Sequence, residues 1–408
     1  MSRARRLGIA LGALLLAATL ALGVAPQVVA RSMNRTLEPP PEPVNAEARR
    51  IHATLRAADL HSDALLWDRD LLRRGSWGHV DLPRLVEGRV AVQAFTVVTK
   101  TPRNLNIEAN AGDTDNITLL ALLQAWPPRT WGSLVERALY QADKLRRFAE
   151  RSVEDPAADE DGGRLVLVRT REDLAEALDS NAEATPAVAG LLGLEGTHAL
   201  EGDLANVDRL FDAGFRVFGL THFFDNEVGA SAHGMSRAGL SEFGSRVLAH
   251  MEELGIVVDL AHASPALIDD VLARSTRPAL VSHTGVRGTC PNQRNLDDAR
   301  LAAIAATGGV IGIGLWETAI CGAAPADWAR AVRHAADVVG ADHVALGSDW
   351  DGAVTAILDA SQTVYLVQAL LDQGFDEAQI RGIMGENVIR TLLRALPSQS
   401  DSPRGSMP

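Results

Sequence analysis

The sequence predicts an α/β protein built as a (β/α)8 barrel, the TIM-barrel architecture. Eight short apolar runs rich in Val, Leu and Ala have the pattern of strands, and most are followed by a segment with helical spacing. This alternation predicts βαβ units and a parallel sheet. Polar residues end most of the runs, as the carboxyl-terminal rim of a closed barrel requires.

The eight predicted strands follow one another along most of the chain. They cover residues 58–63, 90–99, 187–195, 216–222, 256–262, 279–283, 309–315 and 344–351. The helices are predicted by amphipathic stretches such as 204–213, 243–254, 265–273, 297–306 and 326–339. An open doubly wound sheet would show the same alternation, but it binds ligands at a switch point in the strand order, often with a glycine-rich phosphate turn. Polar residues at most strand ends therefore favour the closed barrel.

Composition limits the classes of function. The 408 residues are 47% hydrophobic and 22% charged, which indicates a globular chain and excludes a mainly disordered, collagenous or disulfide-dense protein. The formal net charge of −13 provides no basic field for a phosphate backbone, so we expect no nucleic-acid partner. Two cysteines cannot form a four-thiolate zinc site, which directs attention to the 11 histidines.

The N-terminus has the order of residues that is typical of a secretory signal. Arginines at positions 3, 5 and 6 precede an uncharged apolar run, Leu7–Ala25, and the small residues Val28-Val29-Ala30 follow it. The run of 19 residues is also long enough to span a bilayer, so residues 1–30 are expected to be a cleaved signal peptide or an N-terminal membrane anchor. Both alternatives predict export, to the periplasm or outside the cell.

The rest of the chain divides into a linker, one domain and a tail. Residues 31–45 include a proline-rich sequence at 38–43 and are expected to form a linker. The (β/α)8 domain is expected to cover residues 46–396. Residues 397–408, rich in Pro, Ser and Gly, are expected to be a disordered tail.

Five potential metal ligands lie where predicted strands end. His61 and Asp63 are two residues apart on the first strand and therefore project to the same side, and Glu195, His262 and His283 end the third, fifth and sixth strands. Each residue alone is most simply a satisfied buried side chain or part of a loop ion pair. Three histidines and two carboxylates on one rim, however, indicate a bound cation. Nitrogen and oxygen ligands without thiolate suit zinc, and five of them can hold two ions with positions open for water.

Short motifs along the chain then resemble those of the membrane (renal) dipeptidase family, metallopeptidases of the amidohydrolase superfamily. The motifs keep their order over roughly residues 46–395. They are Asp59-Leu60-His61-Ser62-Asp63, Gly193-Leu194-Glu195-Gly196, Leu220-Thr221-His222, Asp259-Leu260-Ala261-His262, Val281-Ser282-His283, Gln293-Arg294-Asn295, Gly347-Ser348-Asp349-Trp350-Asp351-Gly352 and Gly385-Glu386-Asn387-Val388. The first seven of these motifs, in register along one barrel, are a specific signal, although any one of them is weak.

The resemblance implies a catalytic domain with two Zn²⁺ ions per chain. His61 and Asp63 would bind one ion, His262 and His283 the other, and Glu195 would bridge both. A water shared by two zinc ions loses a proton near neutral pH, so a metal-bridging hydroxide could attack the amide bond of a dipeptide. Whether a D-residue is accepted on the C-terminal side is left open.

The resemblance also implies roles for residues that hold no metal. His222 would bind substrate and stabilise the oxygen of the tetrahedral species, and Arg294 would bind the C-terminal carboxylate of the substrate, which would explain a preference for dipeptides. Asp349 would transfer the proton from water to the leaving amine. Asp351, two residues further on, faces the same way and is an open alternative.

Other expectations concern covalent structure, assembly and rival functions. The resemblance supports a disulfide between Cys290 and Cys321, with two free thiols as the alternative, and it suggests a homodimer. The same metal site could instead serve a hydrolase of lactones or N-acyl amino acids, because barrel loops change more readily than strand ends. A non-enzymatic binding protein of the cell envelope is the third hypothesis, but loss of catalysis should also have removed some of the five potential ligands.

Overall fold

Eight parallel strands form a barrel in the computed structural model, which describes residues 26–37, 43–154, 163–179 and 186–401. The strands in chain order are β1 (Arg35–Thr36), β2 (Ala57–Ser62), β3 (Val90–Val98), β4 (Arg164–Val168), β5 (Ala187–Glu195), β6 (Phe215–Gly219), β7 (Val257–Asp259), β8 (Val281–Thr284), β9 (Ile311–Ile313), β10 (Val344–Leu346) and β11 (Thr355–Ala356). The order around the barrel is β7-β6-β5-β3-β2-β10-β9-β8.

Hydrogen bonds between the first and last strands of this order, β7 and β8, close the barrel. Leu280, just before β8, accepts a bond from the Leu260 amide and donates one to the Val258 carbonyl, both at 2.9 Å. All eight predicted strands overlap one strand of the barrel, so the predicted (β/α)8 architecture is confirmed.

Three strands of the described chain were not predicted: β1 and β11, which form a short pair, and β4, which lies beside the barrel. β4 pairs in parallel with the first half of β5, from Arg164 opposite Ala187 to Val168 opposite Leu191, while β6 pairs with the second half of β5. The last residue of β4, Val168, lies opposite Leu191 in the middle of β5, so β4 ends before the functional rim and brings no potential metal ligand there.

Helices surround the barrel and cover the outer faces of its strands. In the described chain these helices include Ala46–Ala53, Leu82–Glu87, Ile117–Leu123, Leu134–Glu154, Arg171–Asp179, Ala205–Asp212, Glu242–Leu254, Pro265–Leu272, Asp298–Ala306, Glu317–Ile320, Pro325–Val339, Val364–Asp372, Glu377–Arg381 and Asn387–Ala395. Side-chain caps begin several of them: Ser241, Ser264 and Asp297 each accept the backbone N–H three residues ahead. These caps end the preceding loops at defined places and so fix the rim.

The predicted linker is partly folded against the barrel. Residues 26–33 are helical, and β1 pairs in parallel with β11. The Asn34 side chain accepts a bond from the Ala353 amide at 2.9 Å, and the Arg35 carbonyl lies 3.0 Å from His79 Nε2. Residues 34–37 are therefore attached to the domain. The proline-rich residues 38–42 lie outside the described residues, as does the apolar run 7–25.

The folded part also continues past residue 396. The Pro397 carbonyl accepts a bond from the Arg171 amide at 3.0 Å, and the Gln399 amide donates to Glu172 Oε2 at 3.0 Å. The predicted tail thus contacts the domain up to these residues, and its part from 402 to 408 lies outside the described residues. Among the described helices, none combines the length and the apolar character that a bilayer crossing requires.

Candidate active site

The structure brings the five predicted metal ligands together at the carboxyl-terminal rim. His61 lies near the end of β2 and Asp63 directly follows it; Glu195 is the last residue of β5, and His283 lies in β8. His262 is the third residue after β7. All five side chains are buried. They meet because the carboxyl ends of parallel strands share one rim of a closed barrel.

Glu195 is at the centre of this cluster. One of its oxygens, Oε1, faces the Nε2 atoms of four imidazoles. It lies 3.2 Å from Nε2 of His262, 3.5 Å from Nε2 of His61 and of His222, and 3.7 Å from Nε2 of His283. Three triads of ligand atoms could hold a metal ion: His61-Asp63-Glu195, Glu195-His262-His283 and His61-His283-Asp349. Glu195 belongs to two of them, as a bridging carboxylate would.

The chemistry of these donors fits bound metal ions. Nε2 of His262 and Nε2 of His283 are only 2.9 Å apart. Burial lowers the pKa of both imidazoles well below the ordinary value, so both are neutral near pH 7. Two lone pairs at this distance repel unless a proton or a cation lies between them. His61 Nε2 and Glu195 Oε2 are also buried, and neither has a hydrogen-bond partner in the described part of the chain.

The carboxylates of the cluster produce an excess of negative charge. Burial, reinforced by the nearby Asp63, raises the pKa of Glu195 well above its usual value, and burial raises the pKa of Asp349 to about 7. For His61, burial lowers the pKa, but Glu195 and Asp63 outweigh burial and raise it to about 10. All three pKa shifts arise because buried carboxylates lie close together without enough positive charge, which divalent cations would supply.

His222 lies beside the cluster, on the third residue after β6. Its ring centroid is 4.8 Å from that of His262, and its Nδ1 atom has no hydrogen-bond partner among the residues that the structure describes. Burial lowers the pKa of His222 well below the ordinary value, so the ring is neutral. A neutral imidazole in this position can donate one hydrogen bond to a substrate oxygen.

The structure distinguishes the two aspartates that follow β10. Asp351 is saturated with local partners: it pairs with Arg69 and accepts bonds from the amides of His79, at 2.8 Å, and Val80, at 3.2 Å. Asp349 lies in the cluster, with Oδ1 3.8 Å from His61 Nε2. Both residues have a positive φ, +62° at Asp349 and +60° at Asp351, so only their partners distinguish them. Asp349 is therefore the candidate for proton transfer.

Arg294 is a buried cation next to the cluster. Its Nη2 donates to the carbonyl of His283 at 2.8 Å, and its guanidinium lies 5.9 Å from the centre of the Trp316 ring. Burial lowers the pKa of Arg294 to about 10, so it stays charged near neutrality. Within the described residues, no carboxylate forms an ion pair with it. A guanidinium held in this way can receive an anionic group of a ligand.

The loop that carries Arg294 is fastened by a disulfide. Cys290 and Cys321 are bonded, with Cα atoms 5.2 Å apart, which confirms the predicted pairing. Asn295 Nδ2 donates to the Cys290 carbonyl at 2.8 Å, and Asn292 Nδ2 donates to the Thr318 carbonyl at 2.8 Å. These contacts join the loops after β8 and β9 behind the guanidinium.

A loop that follows β3 lies across the mouth of the barrel. We call residues 104–112 the covering loop. The Glu108 carbonyl accepts a bond from Gln293 Nε2 at 2.7 Å, and the Asn110 amide donates to the His233 carbonyl at 2.7 Å. Lys100 donates to the Gly112 carbonyl at 2.6 Å, so this lysine holds the loop. The loop therefore connects to segments that follow β6 and β8 at the same rim as the cluster.

Sequence reasoning missed two hydroxyl groups that touch the cluster. Thr96 Oγ1 in β3 donates to Asp63 Oδ1 at 2.7 Å, and Ser282 Oγ in β8 lies 3.1 Å from His61 Nδ1. Both could have been identified from the sequence, because each is a polar residue within a buried apolar strand. Two further buried histidines contact loops near the cluster: His198 Nε2 is 3.0 Å from Thr99 Oγ1, and His233 Nδ1 is 2.7 Å from the Ile107 carbonyl.

Comparison with known proteins agrees with this geometry. The family model of membrane dipeptidases, peptidase family M19, matches residues 45–402. The curated dipeptidase aclJ of Aspergillus oryzae is 27% identical over 359 residues, which are 82% of this chain and 76% of that protein. A metallopeptidase from Rhodobacter sphaeroides, solved with a phosphinate mimic of the dipeptide L-Ala-D-Ala, is 25% identical with a TM-score of 0.64, covering 84% of this chain and 99% of that one.

A more distant structure shares the fold. The probable dipeptidase PvdM from Pseudomonas aeruginosa superposes with a TM-score of 0.69 at 17% identity, covering 87% of this chain and 98% of that one. The family match extends over nearly all of the barrel and includes each residue of the cluster. The chain therefore belongs to the membrane dipeptidase family, peptidase family M19, and is a metallopeptidase of the dipeptidase type.

Proposed function

We propose that this protein is a zinc-dependent dipeptidase that holds two zinc ions at the rim of the barrel. The observation that carries this proposal is the position of Glu195, whose Oε1 faces Nε2 of His61 at 3.5 Å on one side and Nε2 of His262 at 3.2 Å on the other. Donors of nitrogen and oxygen without thiolate suit zinc. His61 and Asp63 would bind one ion, His262 and His283 the second, and Glu195 both.

The chain's own residues would bind and orient the dipeptide over this centre. When bound, the zinc ions supply Lewis-acid activation of the attacking water and of the peptide carbonyl. Arg294 binds the C-terminal carboxylate, and His222 donates a hydrogen bond to the carbonyl oxygen as negative charge develops there. Asp349 accepts the proton of the attacking water and passes it to the leaving amine, while the covering loop limits the length of the substrate.

We propose that the C-terminal residue of the substrate can be a D-residue. Support comes from the Rhodobacter sphaeroides metallopeptidase, whose ligand mimics L-Ala-D-Ala and which is 25% identical to this chain. Export is proposed from the basic and apolar order of residues 1–30. A homodimer stays a prediction from family resemblance.

The test is hydrolysis of matched dipeptides by the purified protein. L,L- and L,D-dipeptides are compared before chelation, after chelation and after zinc is restored, with metal content measured in parallel. We expect two zinc ions per chain, loss of activity on chelation and its return with zinc, and resistance of dipeptides with amidated C-termini. A protein that holds two zinc ions but cleaves no dipeptide would contradict the proposed substrate and direct the search to lactones and N-acyl amino acids.

A further inference from the structure

We propose that Ser282 is a positioning residue shared by the two metal-binding groups, acting through its hydroxyl on one histidine of each group. This inference rests on the proposed two-zinc function. Ser282 Oγ lies 3.1 Å from Nδ1 of His61 and 2.9 Å from Nδ1 of His283. His61 would bind the first metal ion and His283 the second, so one oxygen contacts both ligand sets from behind.

The placement of Ser282 makes this contact span the barrel. His61 is in β2 and Ser282 is in β8, and β10 and β9 lie between these strands in the barrel order. The Ser282 side chain is buried. A hydroxyl at the surface could exchange its partners with water, whereas a buried one keeps them. The contact therefore crosses the interior and joins strands that do not pair with each other.

The proton positions follow from the geometry of the two imidazoles. Nε2 of His61 faces the carboxylates of Asp63 and Glu195, and Nε2 of His283 faces Glu195 and His262. A metal ion bound at Nε2 requires the lone pair of that nitrogen, so the ring proton must sit on Nδ1. Both Nδ1–H groups then donate to Ser282 Oγ, because a hydroxyl oxygen has two acceptor lone pairs.

The backbone of Ser282 is fixed independently of the metal ions. Its amide donates to Asp259 Oδ1 at 2.8 Å, and the same oxygen accepts the Ala261 amide at 2.9 Å. Asp259 thus ties the start of β8 to the turn that presents His262. With its backbone held, the Ser282 hydroxyl has a defined position, so it can select the tautomer and the orientation of both histidines.

The test measures zinc affinity, because a residue that merely fills space would leave it unchanged. Ser282→Ala and Ser282→Thr are compared with the wild-type protein by competition with a chromophoric chelator. We expect Ser282→Ala to weaken binding at both sites by about 10- to 100-fold, the range for loss of a residue that orients a metal ligand, and Ser282→Thr to retain most of the affinity. Weakening at one site alone, or at neither, overturns the proposal.

Two further measurements keep the test decisive. Thr284→Val removes another buried hydroxyl of β8, one that donates only to the Gly285 carbonyl at 3.0 Å, and it should leave zinc affinity unchanged. Nitrogen-15 NMR of the zinc-loaded wild-type protein needs no variant and should show protonated Nδ1 in both His61 and His283. The opposite tautomer in either ring overturns the proposal. If the wild-type protein fails to bind two zinc ions, the proposed function itself fails, and this titration detects that first.

Discussion

Replacing Arg294 by Met tests whether this guanidinium selects the free carboxylate of a dipeptide. One nitrogen of the buried side chain is engaged with the His283 carbonyl at 2.8 Å, which leaves its other donors available to the substrate. A hydrogen bond to a charged partner contributes about 1.5–3 kcal/mol, so a bidentate pair contributes about 3–6 kcal/mol. Since about 1.4 kcal/mol is a factor of ten, kcat/KM for a free dipeptide should fall by about 10²- to 10⁴-fold.

The assay is a double-mutant cycle between the enzyme and its substrate. Wild-type protein and Arg294→Met are each assayed with a dipeptide and with its C-terminal amide, so that any general damage to the His283 carbonyl cancels. The variant should discriminate little between the two substrates. Arg300→Met is the matched control, because Arg300 pairs with Asp297 at the start of its own helix and with Asp269 of the helix Pro265–Leu272, so its loss should not affect kcat/KM. An equal loss on both substrates in Arg294→Met would refute the carboxylate assignment.

Three other predictions follow from the same structure. Asp349→Asn should lower kcat by about 10²- to 10⁴-fold with little change in thermal stability. Asp351→Asn should lower the free energy of unfolding by about 3–5 kcal/mol, because it breaks the buried ion pair with Arg69. If instead Asp351→Asn lowers kcat and Asp349→Asn lowers stability, the assigned roles are exchanged. Replacing Cys290 and Cys321 by Ser should lower the free energy of unfolding by roughly 3–4 kcal/mol, and an unchanged denaturation midpoint would contradict this. Burial lowers the pKa of Lys144 from 10.5 to about 8, so the folded state loses this proton at a lower pH than the unfolded state. The free energy of unfolding should therefore rise between about pH 8 and 10.5, by up to about 3 kcal/mol relative to Lys144→Met. Denaturant unfolding that shows the same pH dependence in both proteins would disprove this.

The strands of the barrel could be predicted because each carries its own signal. A buried parallel strand is a short apolar run, and the chemistry of this fold lies where such runs end. β4 was not predicted because its last residue, Val168, lies opposite Leu191 in the middle of β5, away from the functional rim. The covering loop gave no signal, because its bonds to Gln293 and His233 join segments more than 100 residues apart.

The cluster was predictable only as a set of residue types. His61, Glu195 and His262 were identifiable because polar side chains at the ends of apolar runs are costly without partners. The spacing of these residues in the sequence does not give the distances between their side chains. The central position of Glu195, with Oε1 facing four imidazoles, is therefore evident only in the folded chain.

The sequence by itself determined the (β/α)8 architecture, the residue types of the metal cluster and the family, because local patterns and short motifs specify these. Only the tertiary structure showed that Asp349 and Asp351 have different surroundings. The two residues are equivalent by sequence spacing, but one faces His61 at 3.8 Å and the other is held by Arg69 and the amides of His79 and Val80. Partners that are remote in the chain set the charge, burial and hydrogen bonding of each carboxylate, and those properties determine its chemistry.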